Sequence, residues 1–351
     1  MYKFFLIVFL SISLQLSSQI NTQLLSNTSW TKVESKMLDG SRDLSGGSYR
    51  FLVWKINGSK VCEYIDPWAV ERTKCVDVKF EKNLMRFSSL SDYQIEKLTS
   101  DSLIVVQKTV GVTFPDKIKK MWFVKTSAVV KDFTDKATGD SIVITSREVS
   151  PTLKKEFITE MMESYSKKNY THDFTVEGEI TIFPKKQRVE VGVGNKKYLK
   201  NNQTSVDLFQ STLQKDYKIW DITGFEKFEK IIIPYHFISK IEEGSGSLGF
   251  YNRIPRKEDK GIIIDIKDKR TSLEDFNKGV EATNKQKYDN AIYFFNKAHE
   301  EDNTNIESLY NVVSISLALN NVNVACTALK RLKDLEQTQG TKLYKEKCSG
   351  Q

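Results

Sequence analysis

The sequence predicts a multidomain α+β chain in three parts: an antiparallel β-barrel or half-barrel, a small α+β domain, and C-terminal α-helical hairpins. Three observations carry this expectation. Residues 48 to 126 are built of short period-two segments, residues 178 to 237 run strand, strand, helix, strand, and from about residue 269 small and aromatic residues recur at helical spacing. With 351 residues and 39% hydrophobic content, the chain has the length for two or three domains, each burying its own core.

The first residues, MYKFFLIVFLSISLQLSSQ, place Lys3 before an apolar run from Phe4 to Leu14 that gives way to Ser17 and Ser18. That is the anatomy of a secretory signal peptide, residues 1–18, with cleavage near Ser18 and Gln19 first in the mature chain. The apolar run would cross only about half of a ~30 Å hydrocarbon core, so a retained anchor is the poorer reading. A secreted or periplasmic location follows as the expectation, with no stable membrane insertion.

The four cysteines fall into two local pairs, Cys62 with Cys75 and Cys326 with Cys348, and neither pair has CxxC metal spacing. Outside the cytoplasm the reading is two disulfides, each contributing about 3 kcal/mol if unstrained; two buried thiols per pair is the alternative. Net charge is +8, but acidic and basic residues alternate throughout and Lys far outnumbers Arg. Nucleic-acid binding, which concentrates basic and aromatic residues in a stripe, is not expected.

Residues 19–135 are assigned to the first domain. In CVDVKF, Val76, Val78 and Phe80 alternate with Asp77 and Lys79, a strand with one buried face. SYRFLVWKI, DYQIEKL, DSLIVVQK and KKMWFVK behave similarly, with turn residues between them and no helix, which suggests an antiparallel sheet closing on itself. SYRFLVWKI is apolar on both faces, so its outer face should meet another element. With Trp30 in NTSW and the hairpin YQIEKLTSDSLIVVQK, this stretch resembles the lipocalin-like domains of secreted bacterial proteins. Thr28 stands where lipocalins carry glycine. The resemblance implies a barrel able to hold a small apolar ligand, but the bulky Phe51, Trp54 and Phe80 speak for an interior filled by its own side chains.

Residues 136–268 form the expected second domain. GDSIVITSREV reads as a strand, and Phe157, Met161 and Tyr165 make one apolar helical stripe, with Met161 and Met162 read as core filler. GEITIFPKKQRVEVGVG is two strands around a Pro-Lys-Lys turn, followed by a helix in SVDLFQSTLQK and a strand in FEKIIIPYHFI. This β, β, α, β order with IIIPYHF at its end resembles the C-terminal domain of TonB-type envelope proteins. Energy transducers of that family have a retained membrane helix and a Pro-rich stalk; this chain has 6 prolines in all, so a shared fold would not bring energy transduction with it.

Residues 269–351 form the third domain. Gly279, Tyr288, Ala291, Phe295 and Ala298 are spaced as in the tetratricopeptide (TPR) repeat, which this segment resembles: small residues let two helices approach and aromatics fill the groove beside them. Ala282 replaces the usual aromatic, and Asn303 the usual proline. A weaker second repeat, IESLYNVVSISLALN and VNVACTALKRLKDL, places Ala325 one 34-residue repeat after Ala291, and GTKLYKEKC caps the stack, pinned by Cys326 and Cys348. Since repeat arrays usually need three or more units, this one must dock on the rest of the chain, be stapled, or be completed by a partner. The resemblance implies peptide or protein binding, with Asn277 and Asn311 as candidate groove contacts.

GSGSLG, residues 244 to 249, satisfies G-x-G-x-x-G, but FYNRIPRKEDKG behind it is broken by Pro255 and Gly261 and opens no helix, so a flexible loop is expected and no cofactor. The 3 histidines, His172, His236 and His299, have no metal-ligand spacing, and no nucleophile motif is present. The expectation is therefore a non-catalytic protein-binding or scaffold protein of the bacterial cell envelope, without catalytic, cofactor or metal residues. The rival is carriage of a small apolar ligand in the barrel.

Overall fold

The computed structural model describes residues 21–45, 52–65, 74–137, 141–146, 148–155, 157–168, 173–194, 199–242, 245–252 and 264–348. The signal-like N-terminus, His172 and part of GSGSLG lie outside these. The chain divides into two compact units, one of residues 1–33, 51–105 and 122–257, the other of residues 34–50, 106–121 and 258–351.

Nine strands form the first sheet: β1 (Thr28–Met37), β2 (Val53–Asn57), β3 (Lys60–Tyr64), β4 (Lys74–Asp77), β5 (Lys79–Glu81), β6 (Leu84–Arg86), β7 (Ser91–Leu98), β8 (Ser102–Thr109) and β9 (Lys119–Lys125). Their order is β4-β3-β2-β1-β9-β8-β7-β6-β5, so every strand but β4 neighbours the next in sequence and β9 returns to β1. Strands β4 and β5 stand at the two ends of this order, yet only Val78 separates them in the chain. The sheet edges therefore meet to within one residue, and the sheet is a nearly closed up-and-down barrel. The expected single strand CVDVKF is broken here: Val78 leaves the alternation, is buried, and donates its N–H to Ser59 O at 2.7 Å, while Val76 is exposed. A disulfide joins Cys62 and Cys75, directly opposite each other on β3 and β4.

Aromatic side chains occupy the barrel interior. Trp54 is fully buried, with Phe123 stacked on it at 4.5 Å and Tyr93 edge-on at 5.1 Å. Trp30, also buried, donates its indole N–H to Thr28 Oγ1 at 2.7 Å, so Thr28 satisfies the one polar group of a buried ring. Burial pushes the Tyr93 phenol up to about 12, and the nearby Glu63 carboxylate adds to the shift.

A helix absent from the sequence reading, α1 (Thr126–Lys136), follows β9 directly. The strand expected over residues 139 to 149 is shorter, β10 (Ile142–Ile144), and is followed by β11 (Thr152–Leu153) and the expected helix α2 (Phe157–Lys168). Next come β12 (Phe174–Phe183), β13 (Arg188–Val193), α3 (Leu199–Gln214), β14 (Trp220–Asp221), β15 (Lys230–Glu242) and β16 (Ser245–Tyr251). In the second sheet β15 pairs with β12, and β12 with β13. The opposite edge of β15 is long enough for two partners, β10 in parallel at Lys230–Ile232 and β16 antiparallel from His236 to Glu242.

One face of this sheet presents Val176, Ile180, Ile233, Tyr235 and Phe237 to Phe157, Met161 and Tyr165 of α2 and to Val206, Phe209 and Leu213 of α3. Met161 is core, as read from the stripe, whereas Met162 is 41% exposed: its neighbour in sequence falls a hundred degrees away on the helix. Gly178 permits a close approach of β12 and β13, because a β-carbon there would meet Gly192 O at 2.0 Å.

In the second unit, five helices follow one another: α4 (Lys269–Asn284), α5 (Tyr288–Glu301), α6 (Ile306–Ala318), α7 (Val322–Asp334) and α8 (Thr338–Cys348). Each packs on the next. Caps set their starts: Asp268 accepts from the N–H groups of Arg270 and Thr271, Asn305 from Ser308, and Asn321 from Val324. The turns after α4, α6 and α7 pass through left-handed Gln286, Asn320 and Glu336. Among the described residues no helix is long and apolar enough to cross a membrane.

Candidate binding site

The α4–α5 hairpin is built around small residues. Gly279 lies against the Phe295 ring, Ala291 and Ala298 are fully buried, and Ser272 Oγ donates to Ala298 O at 2.7 Å, drawing the first turn of α4 onto the end of α5. Ala298 is thus met by the start of α4, and Ala291 shares the helical core with Ala282 of α4 and with Leu309, Val312 and Leu332. Tyr288 departs from the expectation: as first residue of α5 it is 37% exposed and takes no part in the buried cluster. Ala282 is buried, and Phe276 sets its ring edge-on to Phe295 at 5.4 Å.

Ala325 is buried in α7, and the disulfide Cys326–Cys348 ties α7 to the end of α8. His299 is buried as well. Burial depresses its pKa below the ordinary histidine value, and the Asn305 carbonyl near Nδ1 opposes that shift only in part.

A comparison of α4 with α6 at the 34-residue offset separates two faces. Buried Leu309 and Val312 of α6 correspond to Asp275 and Lys278 of α4, which form an ion pair at 2.7 Å. Exposed Glu307 and Ser314 of α6 correspond to Leu273 and Val280 of α4, which are 59% and 39% exposed. The polarity is inverted at both pairs. Charged residues replace the apolar face on which another helix would stack, and apolar residues replace the polar face. Leu273, Phe276 and Val280, at i, i+3 and i+7, make one apolar stripe on α4. Asn277 is exposed beside this stripe, and Asn311 is half-buried at the equivalent place on α6.

On α6 the chain itself reaches the corresponding row at Glu307 and Tyr310, while Ser314 stays exposed. Lys117 pairs with Glu307, and Tyr310, whose phenol is raised by burial, bonds to the backbone of Gly340 with Asp39 and Asp116 nearby. Ser41 Oγ accepts the Thr338 N–H at 3.0 Å, Arg42 N–H donates to Glu336 O at 3.1 Å, and Leu44 joins the helical core. Asp43, buried beside Leu44, is anchored by Ser35 Oγ at 2.7 Å and by both N–H and Oγ of Ser45, with Lys119 at 3.8 Å. Burial pushes this carboxyl up, but the hydroxyl donors and Lys119 outweigh it and hold the pKa below the usual range. No sequence signal announced that residues 36 to 45 dock on helices near residues 305 to 341.

Elsewhere, His236 Nδ1 and Glu177 Oε1 lie 2.8 Å apart, directly across β15 and β12. Among the described residues no group of three or more His, Cys, Asp or Glu is placed to hold a metal. GSGSLG is not the expected loop: from Ser245 it is strand β16, and Gly249 lies under the ring of Tyr251, which a β-carbon would meet at 2.9 Å. The fold is that of a mixed α+β chain with a nearly closed antiparallel barrel, a smaller mixed sheet and terminal helices. Comparison with models of protein families, with curated proteins and with solved structures finds no match for it.

Proposed function

We propose that this is a non-catalytic binding protein of the bacterial cell envelope, exported by the signal-like N-terminus, whose C-terminal hairpins are tetratricopeptide-type and hold a protein or peptide partner against α4. The observation that carries this reading is the inverted polarity of α4: Leu273 and Val280 are exposed where α6 has Glu307 and Ser314. An apolar row beside one that other chain segments contact at Glu307 and Tyr310 is a surface on which a partner gains apolar burial. The docked segments near Glu307 and Tyr310 restrict that partner to the α4 end of the groove, so Asn277 is the better placed of the two candidate asparagines.

Carriage of a ligand inside the barrel is the weaker reading, because Trp54, Phe123 and Tyr93 pack on one another there. The lipocalin-like and TonB-like resemblances enter only as fold types for the two sheets. The test is native mass spectrometry of the mature protein purified gently from its host's envelope fraction, beside Leu273→Asp/Val280→Asp. A protein or peptide retained by the native chain and lost from the double variant supports the reading; retention by both overturns it.

A further inference from the structure

Val53, on the outer face of β2, is only 5% exposed, which agrees with a strand apolar on both sides. What it faces is a cleft of about 610 Å³ between the outside of β1–β3, helix α1, and the segments 148–153 and 221–227, all within the first unit. This volume is in the range of small-molecule sites, roughly 300 to 1,000 Å³.

The cleft is chemically graded along α1. Its middle is apolar, lined by Val53, Val129, Val130, Leu153 and Phe225, and closed on one side where the Gly224 turn presses on Val130. At the start of α1, Thr126 Oγ1 is 2.8 Å from Ser29 Oγ and 3.0 Å from Thr31 Oγ1. Lys55 lies directly across the ladder from Ser29, its ammonium 4.5 Å from the centre of the Tyr64 ring. Nine residues along α1, about 13 Å away, Asp135 is shared by Lys131 and Lys227, and Glu226 accepts the Gly224 N–H at 2.8 Å. The carboxylates at that end are thus engaged by neighbours, and Glu148 adds a further charge to the lining. Three hydroxyls and a lysine at one end and an aliphatic middle suit a ligand with one acidic head and an apolar body.

We propose that this cleft, outside the barrel rather than within it, binds a small amphiphile of that class, with its head at Lys55, Ser29 and Thr126 and its body against Val53, Val129 and Phe225. This is independent of the partner surface on α4.

The probe is cis-parinaric acid, titrated by fluorescence into the full mature protein, with its methyl ester as the uncharged control. Saturable one-to-one binding is expected, weakened about tenfold by Lys55→Glu and lost in Val129→Trp, while the ester binds native protein and Lys55→Glu alike. Ser127→Trp, at an exposed position on the lining, provides a second block should Val129→Trp fail to fold. Absence of saturable binding, an acid affinity indifferent to Lys55→Glu, or binding that survives Ser127→Trp unchanged would each overturn the proposal.

Discussion

A β-carbon on Gly279 would lie 2.7 Å from two ring carbons of Phe295, so α4 and α5 reach their separation only because residue 279 has no side chain. Glycine costs a helix interior about 1 kcal/mol relative to alanine. Gly279→Ala recovers that much in propensity but drives a methyl into a rigid, buried ring, and overpacking costs about 1–3 kcal/mol. The clash wins: thermal unfolding followed by circular dichroism at 222 nm should show a lower Tm. An unchanged or higher Tm would mean that the helices pack more loosely here.

Ala291→Leu probes the same interface from α5, where the residue is fully buried. Overpacking of about 1–3 kcal/mol is expected here too, without the propensity gain. Because positions 279 and 291 share neighbours, the double variant should depart from additivity by at least about 0.5 kcal/mol in chemical denaturation.

Removing the Cys326–Cys348 bridge by Cys326→Ser/Cys348→Ser releases a loop with a sequence separation of 22. Loop-closure entropy puts the loss at about 3 kcal/mol. Hydrogen exchange should localise it, with amides of α8 losing protection before those of α5; uniform loss along all five helices would contradict that assignment.

His299 sets a pH dependence. Its folded pKa lies below the unfolded value of 6.5, so the unfolded chain binds the proton more readily. The stabilisation is complete above pH 6.5 and is lost progressively as the pH falls below it towards the depressed folded value. Tm should therefore decline between pH 7 and 5, and His299→Gln should flatten that decline. Asp43 acts lower: its depressed pKa stabilises above the unfolded value of 3.8 and the contribution is lost as the pH falls through the folded value. Asp43→Asn should remove that acid step.

Leu273→Asp and Val280→Asp should each cost little stability, within about 0.5 kcal/mol, because both positions are exposed, Leu273 more so than Val280. A large loss of stability at either site would show that the α4 stripe belongs to the protein's own core.

How far the sequence could be read depended on how local the signal was. Phe157, Met161 and Tyr165 announce α2 because helical spacing alone puts them on one face, and all three are buried. Gly279, Ala291, Phe295 and Ala298 are buried, and small residues at fixed offsets are the local pattern that close helix packing demands. Tyr288 was read by the same rule and is exposed, since nothing in the spacing says that α5 begins at that residue. The helix α1 was missed although TSAVVKDFTDK carries i,i+4 pairs of Lys and Asp.

What the sequence by itself determined about this protein is its local periodicities, its turns and the pairing of neighbouring cysteines, all of which act over a few to some twenty residues. The tertiary structure alone decided the rest. Closure at Val78 depends on where both sheet edges end, and burial of Leu44 on helices well over 200 positions later. The cleft beside Val53 depends on three segments, residues 29–64, 126–153 and 221–227, that are far apart in the chain. Contacts of that range are fixed by the joint burial of apolar surface from distant segments, and no periodicity within any one of them encodes it.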